Sequence, residues 1–499
     1  MCTCMISPEY KYIIPKQSLY TRIPLNLFQT WHTRALPPFM QRCVQRMISE
    51  NPEFTYRFYD DANCRSFIET HFDEDVLRAY DRLIPGTYKA DLWRYCILYI
   101  HGGIYADIKY QCVPPFKLVE LTSHEHYVRD RDFCGNHGVY QGLLVSYPKN
   151  IILYQCIRKI VEYTNTLYYG YTCLFVGPQL IGSYFCQVEL QAMELAYTGS
   201  GIDRSGKRIL TMYPEYRKEL SKHARTKHYT DLWMDREVYE VRRMKAERVI
   251  MLRMPRHGFR SHPIWVNHEN GYTLYTQWST FMYTQEGRVY PAMRPVYTQS
   301  HVSLEYEEDQ ETVLQGFESL SVHHGYFIGY NRGMKGGCID SMQSIDTFYP
   351  STHEKWCQLE YKGAPCIIQQ WNPIQICTLE VNRLIKGSIK YTGVPNVVSA
   401  TNGILWKGEQ WVIVSRYEMY QKAGVPYQKV CHQWVVLDKE VNVLRTSEFF
   451  KLEEESIISH LHIDTQFKIG YTACHGKCCI AMYTQEEVES LRWNHREAL

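Results

Sequence analysis

The stretch Tyr88-Lys89-Ala90-Asp91-Leu92-Trp93-Arg94-Tyr95-Cys96-Ile97-Leu98-Tyr99-Ile100-His101-Gly102-Gly103-Ile104-Tyr105-Ala106-Asp107-Ile108-Lys109 decides how this chain is read. Its first part predicts an amphipathic helix, with Asp91 and Arg94 three residues apart and so on one side. Gly102 and Gly103 then end the helix, as residues past a C-cap do. The apolar run Ile104-Tyr105-Ala106 predicts a short buried strand that delivers Asp107 at its carboxyl end. In open α/β sheets, ligands bind at that end of a strand. An Asp/Arg pair beside a strand ending in Asp suits a polar, anionic ligand. The same pattern also fits a buried helix with one ion pair.

Working outward, Ile23-Pro24 introduces a first strand, Leu25 to Trp31. A helix follows from Pro37-Pro38, with Phe39, Cys43, Met47 and Ile48 as its expected apolar face, and Asn51-Pro52 stops it. Phe54 to Tyr59 alternates like a strand. Asp60-Asp61 caps a helix through Cys64 and Phe67, and a further helix runs from Val76 to Leu83. Beyond the central stretch, a strand is expected over Gly138 to Pro148, a helix from Asn150 to Leu167, and a strand and turn over Thr172 to Pro178. Strands alternating with helices predict a mostly parallel sheet. This α/β character fades after His228 to Trp233.

From about Arg248 short strands and Gly or Asn turns replace helical periodicity. Units begin near Ser261, Gly316, Lys355, Ser399 and Ser459, with turns at Gly271, Gly325, Gly363, Gly408 and Asp464-Thr465. Short strands repeating every ~40–50 residues are the signature of propeller blades. The expected organisation is an α/β domain over residues 1–245 and an all-β domain over 246–499. The latter is read as a five-bladed β-propeller, with a decorated β-sandwich as the alternative.

The 499 residues suit two or three domains. A hydrophobic fraction of 45% is ordinary for a soluble globular protein, and a net charge of +2 gives no electrostatic reason to expect nucleic acid as partner. The 41 tyrosines suit sugar-binding clefts, though also β-rich cores. The 18 cysteines show no zinc-site spacing, Cys2-Thr3-Cys4 and Cys478-Cys479 being isolated. With no secretory signal and no transmembrane segment in the sequence, the thiols are read as mostly free and the protein as cytoplasmic.

The N-terminal half resembles the DXD-containing nucleotide-sugar glycosyltransferases of family 32, which include yeast-type initiating mannosyltransferases and many large-DNA-virus enzymes. The residues that carry this are Ile23-Pro24 through Gln29-Thr30-Trp31, Asn51-Pro52 through Asp60-Asp61, Ala90-Asp91-Leu92-Trp93-Arg94-Tyr95, Gly102 through Asp107, Gly177-Pro178, and His228 through Trp233. The resemblance spans roughly residues 20–240. It implies a GT-A fold, a Rossmann-like domain that binds a nucleoside diphosphate sugar. Gln29, Thr30 and Trp31 would border the nucleotide. Asp91 and Arg94 would hold the donor sugar and diphosphate. Asp107 would be the first acid of the DXD motif and, with His228, a ligand of Mn2+ or Mg2+. If viral, the protein would work in the host cytoplasm or virus factory.

The sequence departs from that pattern at Lys109, where the family has the second acid. An ammonium cannot ligate a cation, but it can neutralise a diphosphate. Three readings follow. Lys109 takes over part of the metal's role; the metal persists on Asp107, His228 and the diphosphate; or activity is lost. The resemblance implies transfer of a hexose, with retention, from GDP-mannose or a UDP-hexose to the hydroxyl of a glycan or glycoprotein acceptor, mannose being favoured by analogy. Asp91, Arg94, Asp107 and Lys109 are the candidate catalytic residues.

The C-terminal half resembles propellers appended to such transferases in large DNA viruses, and more distantly propeller glycosidases. Glu318, Asp340 and Glu409 are its candidate acids, but they form no convincing pair. Trp278, Trp356, Trp371 and Trp406 offer ring faces for sugar or for core packing. Two competing functions remain: a carbohydrate-binding protein with an inert transferase half, and a propeller glycosidase or phosphorylase.

Overall fold

In a computed structural model, residues 23–131, 138–223 and 227–251 are described; beyond these, the strands given below are described, with side chains from residue 357 onward apart from short gaps. The chain divides into two compact units between Glu240 and Val241.

The first unit alternates strands and helices: β1 (Asn26–Thr30), α1 (Pro38–Glu50), β2 (Thr55–Tyr59), α2 (Asp61–His71), α3 (Glu74–Arg82), α4 (Gly86–His101) and β3 (Gly103–Ala106). Then come β4 (Tyr110–Cys112), β5 (His126–Arg129), β6 (Val139–Ser146), α5 (Ile151–Thr166), α6 (Pro178–Gly182) and α7 (Gln187–Gln191). The last elements are β7 (Leu195–Tyr197), β8 (Gly201–Arg204), β9 (Lys207–Met212), α8 (Tyr216–His223) and α9 (Tyr229–Met234). The helix starts follow local capping chemistry. Asp60 accepts the Asn63 amide at 2.8 Å to open α2, and Asn150 accepts the Leu153 amide at 3.1 Å to open α5. Gly102 (φ 60°) and Gly103 (φ 120°) take the chain out of α4 through conformations that disfavour any side chain.

The nine strands form one sheet in the order β2-β1-β3-β6-β5-β7-β8-β9-β4. The expectation of a mostly parallel sheet needs correction. The pairs β1–β2, β1–β3 and β5–β7 are parallel. The pairs β3–β6, β5–β6, β7–β8, β8–β9 and β4–β9 are antiparallel. Tight hairpins join β7 to β8 and β8 to β9, while β3–β6 and β4–β9 are antiparallel pairs between strands far apart in sequence.

Helices cover both faces of β3, whose four residues are all buried. Ile104 and Ala106 pack with Met47 of α1, whereas Tyr105, on the opposite face, meets Trp93 of α4 edge-on with ring centroids 6.2 Å apart. The buried face of α1 is Met40, Cys43, Val44 and Met47, while Phe39 and Ile48 are exposed. Glu219 fixes that rotation by accepting the Phe39 and Met40 amides at 2.9 and 3.0 Å. Thr172 to Pro178, expected as a strand, is a run of turns leading into α6. It is laid over α4 by the Tyr88 and Tyr95 hydroxyls, which donate to the Cys173 and Gly177 carbonyls at 2.7 and 3.3 Å.

Among the described residues the second unit is all-β apart from a short helix, Gln485–Glu489. Three four-stranded antiparallel sheets follow one another, built from residues 259–315, 319–346 and 357–390, with a two-stranded pair (281–283, 289–291) beside the first. A larger sheet contains the long hairpin Glu409–Lys422 and Val425–Leu437. The last sheet joins 456–463, 467–473 and 478–483 to 248–251 from the start of the unit, so the two ends of the unit share one sheet. Of the five expected turns, Gly408 and Asp464-Thr465 fall between two paired strands, Gly271 is itself the first residue of a strand and pairs with His268, and Gly325 and Gly363 lie outside the described residues. Trp411, Trp434, Phe450 and Phe467 are buried in one core cluster, against which Trp406 packs. Trp371 is buried in another. Trp356, Glu318 and the side chains of Trp278 and Asp340 lie outside the described residues. The thiols of Cys43, Cys64, Cys96, Cys112 and Cys156 are buried and unbridged. Among the described residues no helix is long and apolar enough to cross a membrane.

Candidate donor site at the carboxyl edge of β3

The site grows from the α4–β3 junction. Asp91 and Arg94 lie one helical turn apart, and the Arg94 guanidinium pairs with Asp91 Oδ1 at 3.1 Å. It also donates to the Gln141 carbonyl at 2.7 Å and lies 3.8 Å from Asp107 Oδ1. The Tyr105 ring supports it from below, 4.5 Å from the guanidinium carbon. One buried arginine thus ties α4, β3 and β6 together.

Asp107 leaves β3 with its amide bonded to the Gly142 carbonyl at 2.8 Å, and its own carbonyl accepts the Tyr110 amide at 3.0 Å, closing a turn that contains Lys109. Each of its carboxylate oxygens has a partner: Oδ1 accepts the Tyr105 hydroxyl at 2.8 Å and Oδ2 the Lys109 ammonium at 2.6 Å. The ammonium also lies 5.2, 5.5 and 5.8 Å from the ring centres of Tyr110, Tyr140 and Tyr216, so three ring faces favour its charge. Tyr140 is braced in turn by a hydroxyl–hydroxyl bond to Tyr110 at 2.6 Å and by stacking on Tyr197. A side chain at Gly142 would collide with the Tyr140 ring, its Cβ falling 2.5 Å from it.

Exposure separates two roles. Asp91 and Arg94 are 3% and 4% exposed, whereas the side chains of Asp107 and Lys109 keep 21% and 15% of their surface open. The first pair holds the frame, and the second pair presents charge. Burial pushes the Asp91 carboxyl up to about 7, against the pull of Arg94 and with the push of Asp107. For Asp107 burial acts upward too, but Lys109 and Arg94 outweigh it and hold the carboxyl below its ordinary value. Burial would lower the Lys109 ammonium, yet the Asp107 carboxylate more than compensates and it stays charged.

The other residues expected at this site are distributed as follows. Gln29 is fully buried, donating to the Asp107 carbonyl at 3.4 Å and accepting the Tyr56 hydroxyl at 3.1 Å. The parallel β1–β3 register sets Thr30 and Trp31 at the same sheet edge; Thr30 donates to the Tyr59 carbonyl at 2.8 Å, and Trp31 lies against His32. His228 is an exposed N-cap of α9, its Nδ1 accepting the Thr230 amide at 3.3 Å. No described hydrogen bond or ion pair joins it to Asp107. Tyr105, Tyr140, Gln141, Tyr216 and Gly142 were not foreseen. Tyr105 had a signal, since i and i+2 share a strand face and set it beside Asp107; the others come from distant segments. In the second unit, Glu409 is taken up in a two-pronged pair with Arg445 at 2.8 and 2.6 Å, which holds its carboxyl below the ordinary range.

Asp107 does not suit a divalent cation as these residues stand. A hard cation seeks open carboxylate oxygens, and here both are hydrogen-bonded, with an ammonium and a guanidinium alongside. Among the described residues, the His, Cys and acid side chains that converge closely enough to hold a metal are His124, His126 and Glu194. The β5–β6 and β3–β6 registers set His126 at the level of Ile104, near the amino end of β3 and away from Asp107.

A helix-borne Asp/Arg pair thus supports an Asp and a Lys at the carboxyl edge of the sheet, gathering two carboxylates and two cations in one polar cluster. Residues 37–127 match the family described as "Glycosyltransferase sugar-binding region containing DXD motif". The chain is 28% identical over 158 residues to inositol phosphoceramide mannosyltransferase 3 of Schizosaccharomyces pombe, covering 31% of this chain and 43% of that protein. It is 33% identical over 92 residues to an uncharacterized glycosyltransferase of Acanthamoeba polyphaga mimivirus, covering 18% and 37%. The chain thus spans less than half the length of these relatives. Among solved structures, a GDP-Man-dependent mannosyltransferase from Leishmania mexicana aligns with 54% of this chain and 93% of its own at 8% identity, with a TM-score of 0.37, a likeness too slight to argue from.

Proposed function

We propose that the protein is a glycosyltransferase that moves a hexose, mannose in preference, from a nucleoside diphosphate sugar to an acceptor hydroxyl with retention at the anomeric carbon. The observation that carries this is the engaged Asp91–Arg94–Asp107–Lys109 array at the carboxyl edge of β3, lying within the stretch that matches the DXD family. The GT-A, Rossmann-like description suits the parallel β2-β1-β3 segment of the sheet. Transfer leaves a diphosphate as its charge develops, and fixed cations already aimed at that charge lower the barrier. Lys109 is such a cation, and Asp107 orients the sugar. Arg94 and Asp91, too buried to meet solvent, position them. Gln29 holds the Asp107 backbone, while Thr30 and Trp31 border the nucleotide.

The second unit is read as a five-bladed propeller that binds or positions glycan, supported by its succession of sheets and by the sharing of the last sheet between its two ends. The proposal is tested by incubating the full chain with GDP-mannose and with UDP-hexoses. Specific binding of one donor raises the unfolding temperature, and that donor then serves for transfer to glycan acceptors. Absence of stabilisation and of turnover with every donor would overturn it.

A further inference from the structure

Granting the donor-site reading above, we infer that this site binds the donor diphosphate without a divalent cation, and that Lys109 supplies the charge that a metal supplies elsewhere in DXD enzymes. Three observations converge. First, the position where the motif has its second acid carries a lysine, so a ligand has been exchanged for a cation. Second, that lysine and a tyrosine take up both oxygens of the motif's remaining acid: its Nζ lies 2.6 Å from Asp107 Oδ2, and the Tyr105 hydroxyl donates to Oδ1 at 2.8 Å. A metal bound to Oδ2 at ~2.1 Å would lie within about 4.7 Å of Nζ, because the two distances can at most add. With Arg94 3.8 Å from the same carboxylate, a divalent ion would enter a site already holding two positive groups.

Third, the ammonium is held where it is. The rings of Tyr110, Tyr140 and Tyr216 surround it, the Tyr110–Tyr140 hydroxyl bond fixes two of them, and 15% of the lysine side chain still faces outward. An ammonium has three donors, and Asp107 takes one. A cation fixed in this way needs little reorganisation when a diphosphate arrives. A merely structural Lys–Asp pair would not need three ring faces and an open side.

The test is calorimetric binding of GDP-mannose and UDP-glucose to the full chain in EDTA and in Mn2+, with Mn2+ uptake alone followed by electron paramagnetic resonance. Expected for the native protein is donor affinity equal within about twofold in the two conditions. Lys109→Asp, which restores two acids at the motif spacing, should bind donor at least tenfold more weakly in EDTA, recover in Mn2+, and take up one more Mn2+ than the native chain. Lys109→Met should lose donor binding in both conditions and not recover. Native binding that vanishes in EDTA and returns with Mn2+ would overturn the inference while leaving the transferase reading intact. Donor binding that Lys109→Met leaves unchanged would overturn it too. Failure of every donor in both conditions would instead sink the donor-site reading, and this inference with it.

Discussion

Replacing Arg94 by Met probes the site most sharply, because the size of the loss follows from the geometry and its pH dependence from the upward push of burial on Asp91. At 3.8 Å and an effective dielectric of about 20, the Arg94–Asp107 attraction is about 4 kcal/mol before screening by the 21% of Asp107 that stays open and by Lys109. The buried Gln141 carbonyl also loses its guanidinium donor, at about 1–3 kcal/mol. Asp91 limits the damage: already at about 7 with its partner present, it takes up a proton once the guanidinium has gone. Arg94→Met should therefore cost about 3–5 kcal/mol near pH 7, the range for breaking a buried pair. The sign of the pH effect follows from proton counting. Below pH 7 Asp91 is protonated in both native proteins, so the difference between them is flat. Above it, native wild type has released the proton while native variant keeps it and both unfolded chains lack it, so the cost grows by about 1.4 kcal/mol per pH unit. Adding Asp91→Asn should abolish that slope. The assay is urea unfolding at pH 6, 7, 8 and 9, read from residues 86–101 by pulse-labelling hydrogen exchange. A cost that stays constant from pH 6 to 9, or a double variant with the same slope, would refute the reasoning.

Other outcomes follow from single contacts. Gly177→Ala should weaken donor binding more than tenfold and cost about 1–3 kcal/mol, since the added Cβ would lie 2.5 Å from Asp91 Oδ2 and overpack a buried site; unfolding midpoints and donor calorimetry check both. His432, bonded to Ser415 Oγ at 2.9 Å, is pushed down to about 3 by burial and by Lys451. It therefore contributes stability that is complete above about pH 6.5 and is lost progressively toward pH 3. His432→Gln should flatten the acid limb of the C-terminal unit's urea midpoint. Asn150→Ala removes the cap of α5 and the bonds from its amide to Glu125 and Tyr127, for an expected loss of about 1–2 kcal/mol, seen as faster exchange in residues 151–157.

The centre of the fold was legible because its signals are local. The periodicity of α4, the Gly102–Gly103 break and the run ending in Asp107 each depend on neighbours in sequence, and so do the caps Asp60 and Asn150. What failed was set at a distance. The apolar face of α1 turned on Glu219, 180 residues from Phe39, whose carboxylate holds the first amides of the helix. The run from Thr172 to Pro178 is apolar enough for a strand, but two tyrosine hydroxyls of α4 claim the carbonyls a sheet would need. Three of the five antiparallel pairs involve the short strands of residues 195–212, too brief for alternation to register.

The same division runs through the candidate site. Asp91, Arg94, Asp107 and Lys109 were found because one helix, one strand and the turn that follows it carry them within a single stretch of sequence. The tyrosines around Lys109 were not, since Tyr110, Tyr140 and Tyr216 come from three elements, and Tyr140 fits only because residue 142 has no side chain. That surrounding changes the meaning of the lysine. Taken alone, Lys109 fits a working cation, a metal persisting on Asp107, His228 and the diphosphate, or a site that has lost activity. A damaged ligand would leave Asp107 facing solvent with a mobile ammonium nearby. Instead the Asp107 carboxylate is bonded at both oxygens and held below its ordinary pKa, and the ammonium is enclosed on three sides and raised above its own. Each partner keeps the other charged inside a site that, by burial alone, would neutralise both. On the proposed donor-site reading, that pair keeps a cation ready for an incoming diphosphate.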